Sequence, residues 1–364
     1  MQDDYISTEG MDVGYGKSPL IREIELHVKQ GEIVTLIGPN GAGKSTILKT
    51  IIRQLNLLGG AVWIGGKPLE KMPERELAKR MSVLMTERLR PELMTCEEVV
   101  EAGRYPYTGR FGILTAEDKR KVRNALDMVH AADIAAREFS QVSDGQKQRI
   151  LLARAICQEP KAIILDEPTS FLDIRHKLEL LAVLKELVRK EKTAVLMSLH
   201  ELDLAQKVSD YIVCVGNGKI ERCGTPEEIF KSRYIADLYG ITRGSYQAEL
   251  GFLELEPAKG RPEVFVIGGN GQGIPVYRAL QRQGIPFAAG ILHENDIDYP
   301  VAKALAAEVI SERPFDEIRA ATYERAAAVM RGCRRMICCI DTFGKINMRN
   351  RELMEYGRTL FREK

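Results

Sequence analysis

Apolar residues fall along the chain in short clusters whose spacing changes with position. Up to about Ile37 the alternation is that of strands joined by turns. A glycine-rich loop follows, and then ILKTIIRQL, spaced as a helix. From about Pro91 to Val142 the pattern is mostly helical. TAEDKRKVRNALDMVHAADIA places its apolar residues at intervals of three and four, and Thr115 with Asp118 fits a capping box. Two apolar runs, AIILD (162–166) and TAVLMSL (193–199), read as buried strands on either side of the helical HKLELLAVLKELVRK. Strand, helix and strand in that order predict a parallel sheet with crossover helices. A fresh start comes near residue 260, where the turn-rich, charged GFLELEPAKGRPE gives way to the strand VFVIG and a second glycine cluster. Further strands are predicted at AEVI (307–310) and RMICCI (335–340). No internal repeat or low-complexity tract interrupts the chain.

The expected organisation is therefore two α/β domains, residues 1–258 and 259–364, with a helical subdomain at about 88–145. The length of 364 residues suits that count. With 53 Lys and Arg against 51 Asp and Glu, the formal net charge is +2, too balanced to attract nucleic acid as a whole. The 7 cysteines form no CxxC pair and lie mostly among apolar neighbours, the pattern of free buried thiols in a reducing compartment. MQDDYISTEG lacks the basic-then-apolar pattern of a signal peptide. No stretch approaches the roughly 18 to 20 apolar residues of a membrane span. The expectation is a cytosolic chain that could still dock on a membrane protein.

GPNGAGKST (38–46) lies between the strand EIVTLI and a helix, and satisfies GxxxxGK[ST]. Its backbone N–H groups, from Gly38, Pro39, Asn40, Gly41, Ala42 and Gly43 onward to Thr46, are where phosphate oxygens would be cradled, proline supplying no N–H. The helix N-terminus adds a positive dipole end. Lys44 would reach the outer phosphates and the Ser45 hydroxyl would ligate Mg²⁺. AIILD ends in Asp166 and Glu167, two carboxylates at one strand tip. Asp166 is expected to hold Mg²⁺ through water, and Glu167 to orient or deprotonate an attacking water.

VSDGQKQRILLARAI (142–156) resembles the signature segment of the ATP-binding-cassette (ABC) ATPases. SFLD (170–173) resembles their D-loop, and SLHEL (198–202) their switch-histidine segment. With the phosphate loop and Asp166–Glu167, these motifs occur in the family's order over about residues 1–240. The resemblance implies a P-loop ABC nucleotide-binding domain that binds ATP and Mg²⁺. It also implies a head-to-tail homodimer, in which Ser143, Gly145 and Gln146 of one subunit serve the γ-phosphate bound by the other. It makes His200 a γ-phosphate contact and puts Tyr15 where an aromatic stacks on adenine; a half-buried strand tyrosine is the other reading of Tyr15. Two departures stand out. Asp144 replaces the first of two signature glycines, and Thr86, followed by Glu87, stands where the family's Q-loop has glutamine. GRYPYTG (103–109) resembles a stretch in the ATPase subunits of iron–siderophore, haem and cobalamin importers, although it also reads as a helix-ending turn. The implied function is the ATP-hydrolysing subunit of such an importer, peripheral at the cytoplasmic face of the membrane. It would act with a polytopic permease and, indirectly, with a substrate-binding protein. The alternatives are a soluble ABC-type nucleotide- or redox-sensing regulator, and a soluble ABC ATPase acting on DNA or ribosomes. The second of these would usually carry tandem cassettes or a coiled-coil insertion, and this chain shows neither.

The second domain reads as a small four-strand Rossmann-like fold. Gly268, Gly269, Gly271 and Gly273 resemble a dinucleotide fingerprint without its strict spacing, and Glu294 or Asp296 lies where a ribose contact would be. A helix starting near Pro275 would turn its N-terminus toward an anion. Two readings stay open: a small ligand at the loop, or glycines that only permit close strand–helix packing.

Overall fold

The computed structural model describes residues 4–85, 93–109, 111–170, 172–231, 234–247 and 251–362. Thr86 and Glu87 lie outside them. The chain divides into two units, Met1–Tyr234 and Ile235–Lys364.

The first unit opens with an antiparallel sheet of β1 (Asp4–Tyr15), β2 (Ser18–Ile24), β3 (His27–Lys29), β5 (Gly59–Ile64) and β6 (Lys67–Pro68), with the path β2-β1-β5-β6 and β3 also paired to β1. Between β3 and β5 run β4 (Ile33–Ile37) and helix α1 (Lys44–Ile51). β4 belongs to a second sheet with β7 (Met81–Leu84), β8 (Ala162–Asp166), β9 (Ala194–Ser198), β10 (Tyr211–Gly216) and β11 (Lys219–Gly224), in the order β11-β10-β4-β9-β8-β7. All its neighbours are parallel except β10 and β11. All residues of β4, β8 and β9 are buried, as expected of parallel strands covered on both faces. One core cluster runs from Met11 and Ile24 of the first sheet through Ile47, Leu48 and Ile51 of α1 to Leu196 and Val213 of the second.

Helix α2 (Glu74–Arg80) precedes β7. Among the described residues, the region expected to be mostly helical holds α3 (Cys96–Glu101) and α4 (Ala116–Met128) before the signature helix α5 (Asp144–Cys157), with short 3-10 turns between. The Thr115–Asp118 capping box is present. Helices α6 (Ile174–Glu191), α7 (Leu202–Val208) and α8 (Pro226–Ile229) complete this unit, and α9 (Tyr234–Leu238) spans the division.

The second unit begins ahead of the boundary expected near residue 258, and the turn-rich segment before that boundary supplies β13 (Phe252–Glu254), the second strand of a hairpin with β12 (Ser245–Gln247). Glu254 accepts a hydrogen bond from Arg278 Nε at 3.0 Å, which ties the hairpin to the second unit. The remainder is β14 (Val264–Ile267), α10 (Ile274–Arg282), β15 (Phe287–His293), α11 (Asp298–Leu305), β16 (Glu308–Glu312), α12 (Ala320–Arg331), β17 (Arg335–Cys338) and α13 (Met348–Leu360). Its sheet is parallel, in the order β16-β15-β14-β17. Alternation along β14 splits the core: Val264 and Val266 pack with Tyr277, Leu280 and Val301 on one face. Phe265 and Ile267 pack with Met330 and Leu353 on the other. The strand order reverses between β14 and β17, as in a Rossmann half.

Candidate functional site

The phosphate loop leaves β4 at Gly38, whose φ of 148° is open to glycine. A Cβ there would collide with the Val215 carbonyl of β10. Gly43, at φ 101°, caps α1. Lys44 is 5% exposed and folds back on the loop, donating to the Gly38 carbonyl at 2.7 Å and the Pro39 carbonyl at 3.1 Å. Burial lowers its pKa, and the nearby Glu167 and Asp166 pull the other way.

β8 pairs with β9 so that Asp166 lies opposite Ser198, and this register builds the acidic end of the site. Asp166 Oδ1 accepts from Ser45 Oγ at 2.9 Å and from Ser198 Oγ at 2.7 Å. The Glu167 N–H donates to the same Ser198 hydroxyl at 3.0 Å. Glu167 is held at φ 50°, a left-handed backbone that non-glycine residues rarely adopt and that concentrates at functional sites. Its carboxylate is bonded through Oε1 to His200 Nε2 and through Oε2 to Ser170 Oγ at 3.2 Å. Beside it, Glu201 accepts from Thr169 at 2.7 Å and Lys177 at 2.6 Å. Lys44, Ser45, Asp166, Glu167 and His200 thus form one cluster at the C-terminal ends of parallel strands. Tyr15 is 60% exposed, and its hydroxyl lies 3.4 Å from Thr46 Oγ1.

Ser143 is the N-cap of α5. Its hydroxyl accepts from the Gln146 N–H at 3.3 Å, and Gln146 Oε1 accepts from the Ser143 N–H at 2.9 Å. Asp144 is in the first turn of that helix, where its charge suits the dipole, with Lys147 3.7 Å away. Arg104 of GRYPYTG is 2% exposed. It donates to Asp118 at 2.9 Å, the Cys157 carbonyl at 2.7 Å and Glu159 at 3.0 Å, and stacks over Tyr107 at 4.0 Å. Arg75 of α2 holds the same turn through the Pro106 and Thr108 carbonyls, at 3.0 and 2.7 Å. Nearby a cavity of about 810 Å³ opens among Leu57, Glu74, Leu77, Met81, Arg154 and Gln158.

Sequence reasoning missed Ser198, whose hydroxyl joins the Asp166 carboxylate to the Glu167 N–H. A lone serine near the end of the run TAVLMSL was the available signal.

In the second unit three amides of the glycine loop are taken by the chain's own carboxylates. Asp298 Oδ2 accepts from the Gly269 N–H at 2.6 Å and the Gly273 N–H at 2.8 Å. Asp296 accepts from the Asn270 N–H at 3.0 Å and the Asp298 N–H at 2.9 Å. A Cβ on Gly273 would collide with the Tyr277 hydroxyl, so glycine there admits packing. Glu294 is exposed, with Ser311 Oγ at 3.4 Å. All seven cysteines are free, and burial pushes Cys157 and Cys214 up to about 12, far from a reactive thiolate.

Residues 21–170 match the ABC transporter family, and residues 287–361 match the MJ0874 family. The ABC transporter ATP-binding protein MJ0873 of Methanocaldococcus jannaschii is 40% identical over 289 residues, spanning 79% of this chain and 99% of the relative. This chain belongs to the ABC transporter ATP-binding proteins. The iron(3+)-hydroxamate import ATP-binding protein FhuC of Bacillus subtilis is 36% identical over 236 residues, 65% of this chain and 88% of its own. The cobalamin import ATP-binding protein BtuD of Halobacterium salinarum is 30% identical over 325 residues, 87% of this chain and 81% of its own. Among solved structures, an ATP-binding subunit of an ABC transporter aligns at a TM-score of 0.56 and 28% identity, covering 65% of this chain and 95% of that one. The dimeric cassette MJ0796 bound to ADP and Pi aligns at 0.54 and 25%, covering 61% and 98%. The ABC cassette binds ATP, and its fold is the P-loop ABC fold expected from the motifs.

Proposed function

We propose that this chain is the ATP-hydrolysing subunit of an ABC importer whose cargo is an iron chelate, haem or a cobalamin-type compound. The observation that carries the reading is the Ser45–Asp166–Ser198–Glu167–His200 cluster beneath the phosphate loop. The cargo class follows from the importers to which the chain is similar.

Lys44 faces the outer phosphates of ATP, and the amides of the 38–46 loop cradle them. The donor set suits Mg²⁺: a hydroxyl and a carboxylate oxygen, Ser45 Oγ and Asp166 Oδ1, already stand 2.9 Å apart, and hard cations of this size take oxygen ligands. When bound, Mg²⁺ supplies positive charge that neutralises the phosphate oxygens. Glu167 is the base that orients and deprotonates the attacking water, and His200 holds its carboxylate and contacts the γ-phosphate. Tyr15 stacks on adenine. Ser143, Gly145 and Gln146 serve the nucleotide of a second copy in a head-to-tail dimer.

The cavity between α2, β7 and α5 receives a segment of a polytopic permease, fed in turn by a substrate-binding protein. Among the described residues no helix is long and apolar enough to cross a membrane, so on this reading the chain sits peripherally on the cytoplasmic face. For the second unit the proposal narrows: a small ligand at this sheet edge has to bind without the Gly269 and Gly273 amides, and the closed loop favours packing. Co-purification from native membranes tests the reading. The expected result is a polytopic protein that stays with the chain and raises its ATPase rate; a chain recovered wholly free of membrane protein would count against it.

A further inference from the structure

Helix α5 makes a connection that its motif does not announce. Gln148, just beyond the signature residues, donates from Nε2 to the Pro168 carbonyl at 3.0 Å. Pro168 is buried and directly follows Glu167. The start of α6 lies close to the same helix end. His176 Nδ1 lies 2.9 Å from Asp173 Oδ1, and the ring stands 3.3 Å from the place a Cβ on Gly145 would take. The N-terminal turns of α5 are therefore tied by Gln148 to the residue that follows Glu167, and the His176 ring of α6 stands beside Gly145.

We propose that Gln148 is a positioning residue that ties the signature serving one ATP to the base serving the other. The inference rests on the head-to-tail dimer proposed above. In that dimer Ser143 and Gln146 of a subunit meet the partner's nucleotide, while Glu167 of the same subunit acts on its own. A helix is stiff along its axis, so a shift imposed at Ser143 arrives at Gln148 nearly undiminished. The bond from Gln148 tolerates only a few tenths of an ångström before it fails. Its acceptor belongs to the residue next to Glu167, whose backbone sits at the uncommon φ of 50°. Engagement of the signature by the partner's ATP thus sets the position of the base in the first site, and the two sites fire as a pair.

The test uses the full chain and its ATP hydrolysis as a function of ATP concentration. Gln148→Glu keeps the size of the side chain and removes the donor; Gln148→Ala removes both. Both variants are expected to lower kcat by about 10- to 100-fold, the effect of a slightly misplaced reacting group. KM for ATP should stay within about twofold, because the phosphate loop is untouched. The Hill coefficient should fall from above one in the wild type to one. Thermal unfolding of each variant checks that the fold is intact. Wild-type kcat and cooperativity in Gln148→Glu would overturn the proposal, as would a wild-type Hill coefficient of one. These outcomes are separate from the role of Glu167, which is read from its own variant.

Discussion

Truncating Asp298 to alanine separates the packing reading of the second glycine loop from the ligand reading. The Asp298 side chain is fully buried, and its Oδ2 satisfies two backbone N–H groups, at 2.6 and 2.8 Å. Each buried amide left without an acceptor costs about 1–3 kcal/mol, so the loss is about 2–6 kcal/mol. Part is returned, because the carboxylate itself is buried and burial raises its pKa above the ordinary range. Among the described residues its Oδ1 also finds no hydrogen-bond partner. The net expectation is a destabilisation of about 2–4 kcal/mol for Asp298→Ala. Asp298→Asn keeps an oxygen for both amides and sheds the charge, so it should cost less than about 1 kcal/mol. Urea unfolding of the full chain reads both. The single tryptophan, Trp63, lies in the first unit, so its fluorescence follows that unit, while far-ultraviolet circular dichroism follows both. The shift should appear in the dichroism and not in the fluorescence. A cost below about 0.5 kcal/mol for alanine would refute the argument. So would a thermal shift of the wild-type second unit by NAD or pyrophosphate that Gly271→Val removes.

Three further outcomes follow from the same geometry. Arg104→Ala strips a buried charge from Asp118 and a donor from the Cys157 carbonyl, and should destabilise the first unit by about 3–5 kcal/mol in denaturant titration. Hydrogen bonds from the Thr115 hydroxyl and amide, aided by Arg104, bring Asp118 from 3.8 to about 2. Burial alone would raise Glu312, but hydrogen bonds from Arg319 and Thr322 outweigh it and bring it from 4.5 to about 2. Both folded values are depressed, so their contribution is complete above the unfolded values and should fade as pH falls through about 4.5 toward 2 in acid unfolding. Lys44→Ala removes the cation facing the outer phosphates and should weaken ATP binding, measured by calorimetry, by at least about tenfold.

The phosphate loop and the Asp166–Glu167 tip were legible because each is a local pattern: a buried strand, then residues whose backbone or charge the turn requires. The four strands of the second unit were legible for the same reason, as apolar runs between turn signals. What escaped depends on contacts between distant segments. Ser198 matters only because β9 pairs with β8 in one register. Gln148 reaches a carbonyl 20 positions away, and no periodicity marks such a bond. Arg104 stands in a stretch punctuated like a surface turn, yet it is buried by Asp118, Glu159 and Tyr107. In the second unit Glu294 or Asp296 was sought after β15; Asp296 does take the Asn270 amide, but the Gly269 and Gly273 amides go to Asp298, at the start of α11. The domain boundary moved because residues 252–254, inside the charged, turn-rich stretch, pair as a hairpin strand with a salt bridge to α10.

The central claim is that the cluster beneath the phosphate loop hydrolyses ATP with Glu167 as its base. The most direct measurement is the steady-state ATPase rate of Glu167→Gln against wild type, with nucleotide binding measured in parallel. A positioned general base is worth about 10²- to 10⁴-fold in rate. The account predicts a loss of that size with ATP still bound and a dimer that persists in ATP. A variant that kept more than about a tenth of the wild-type rate would contradict it.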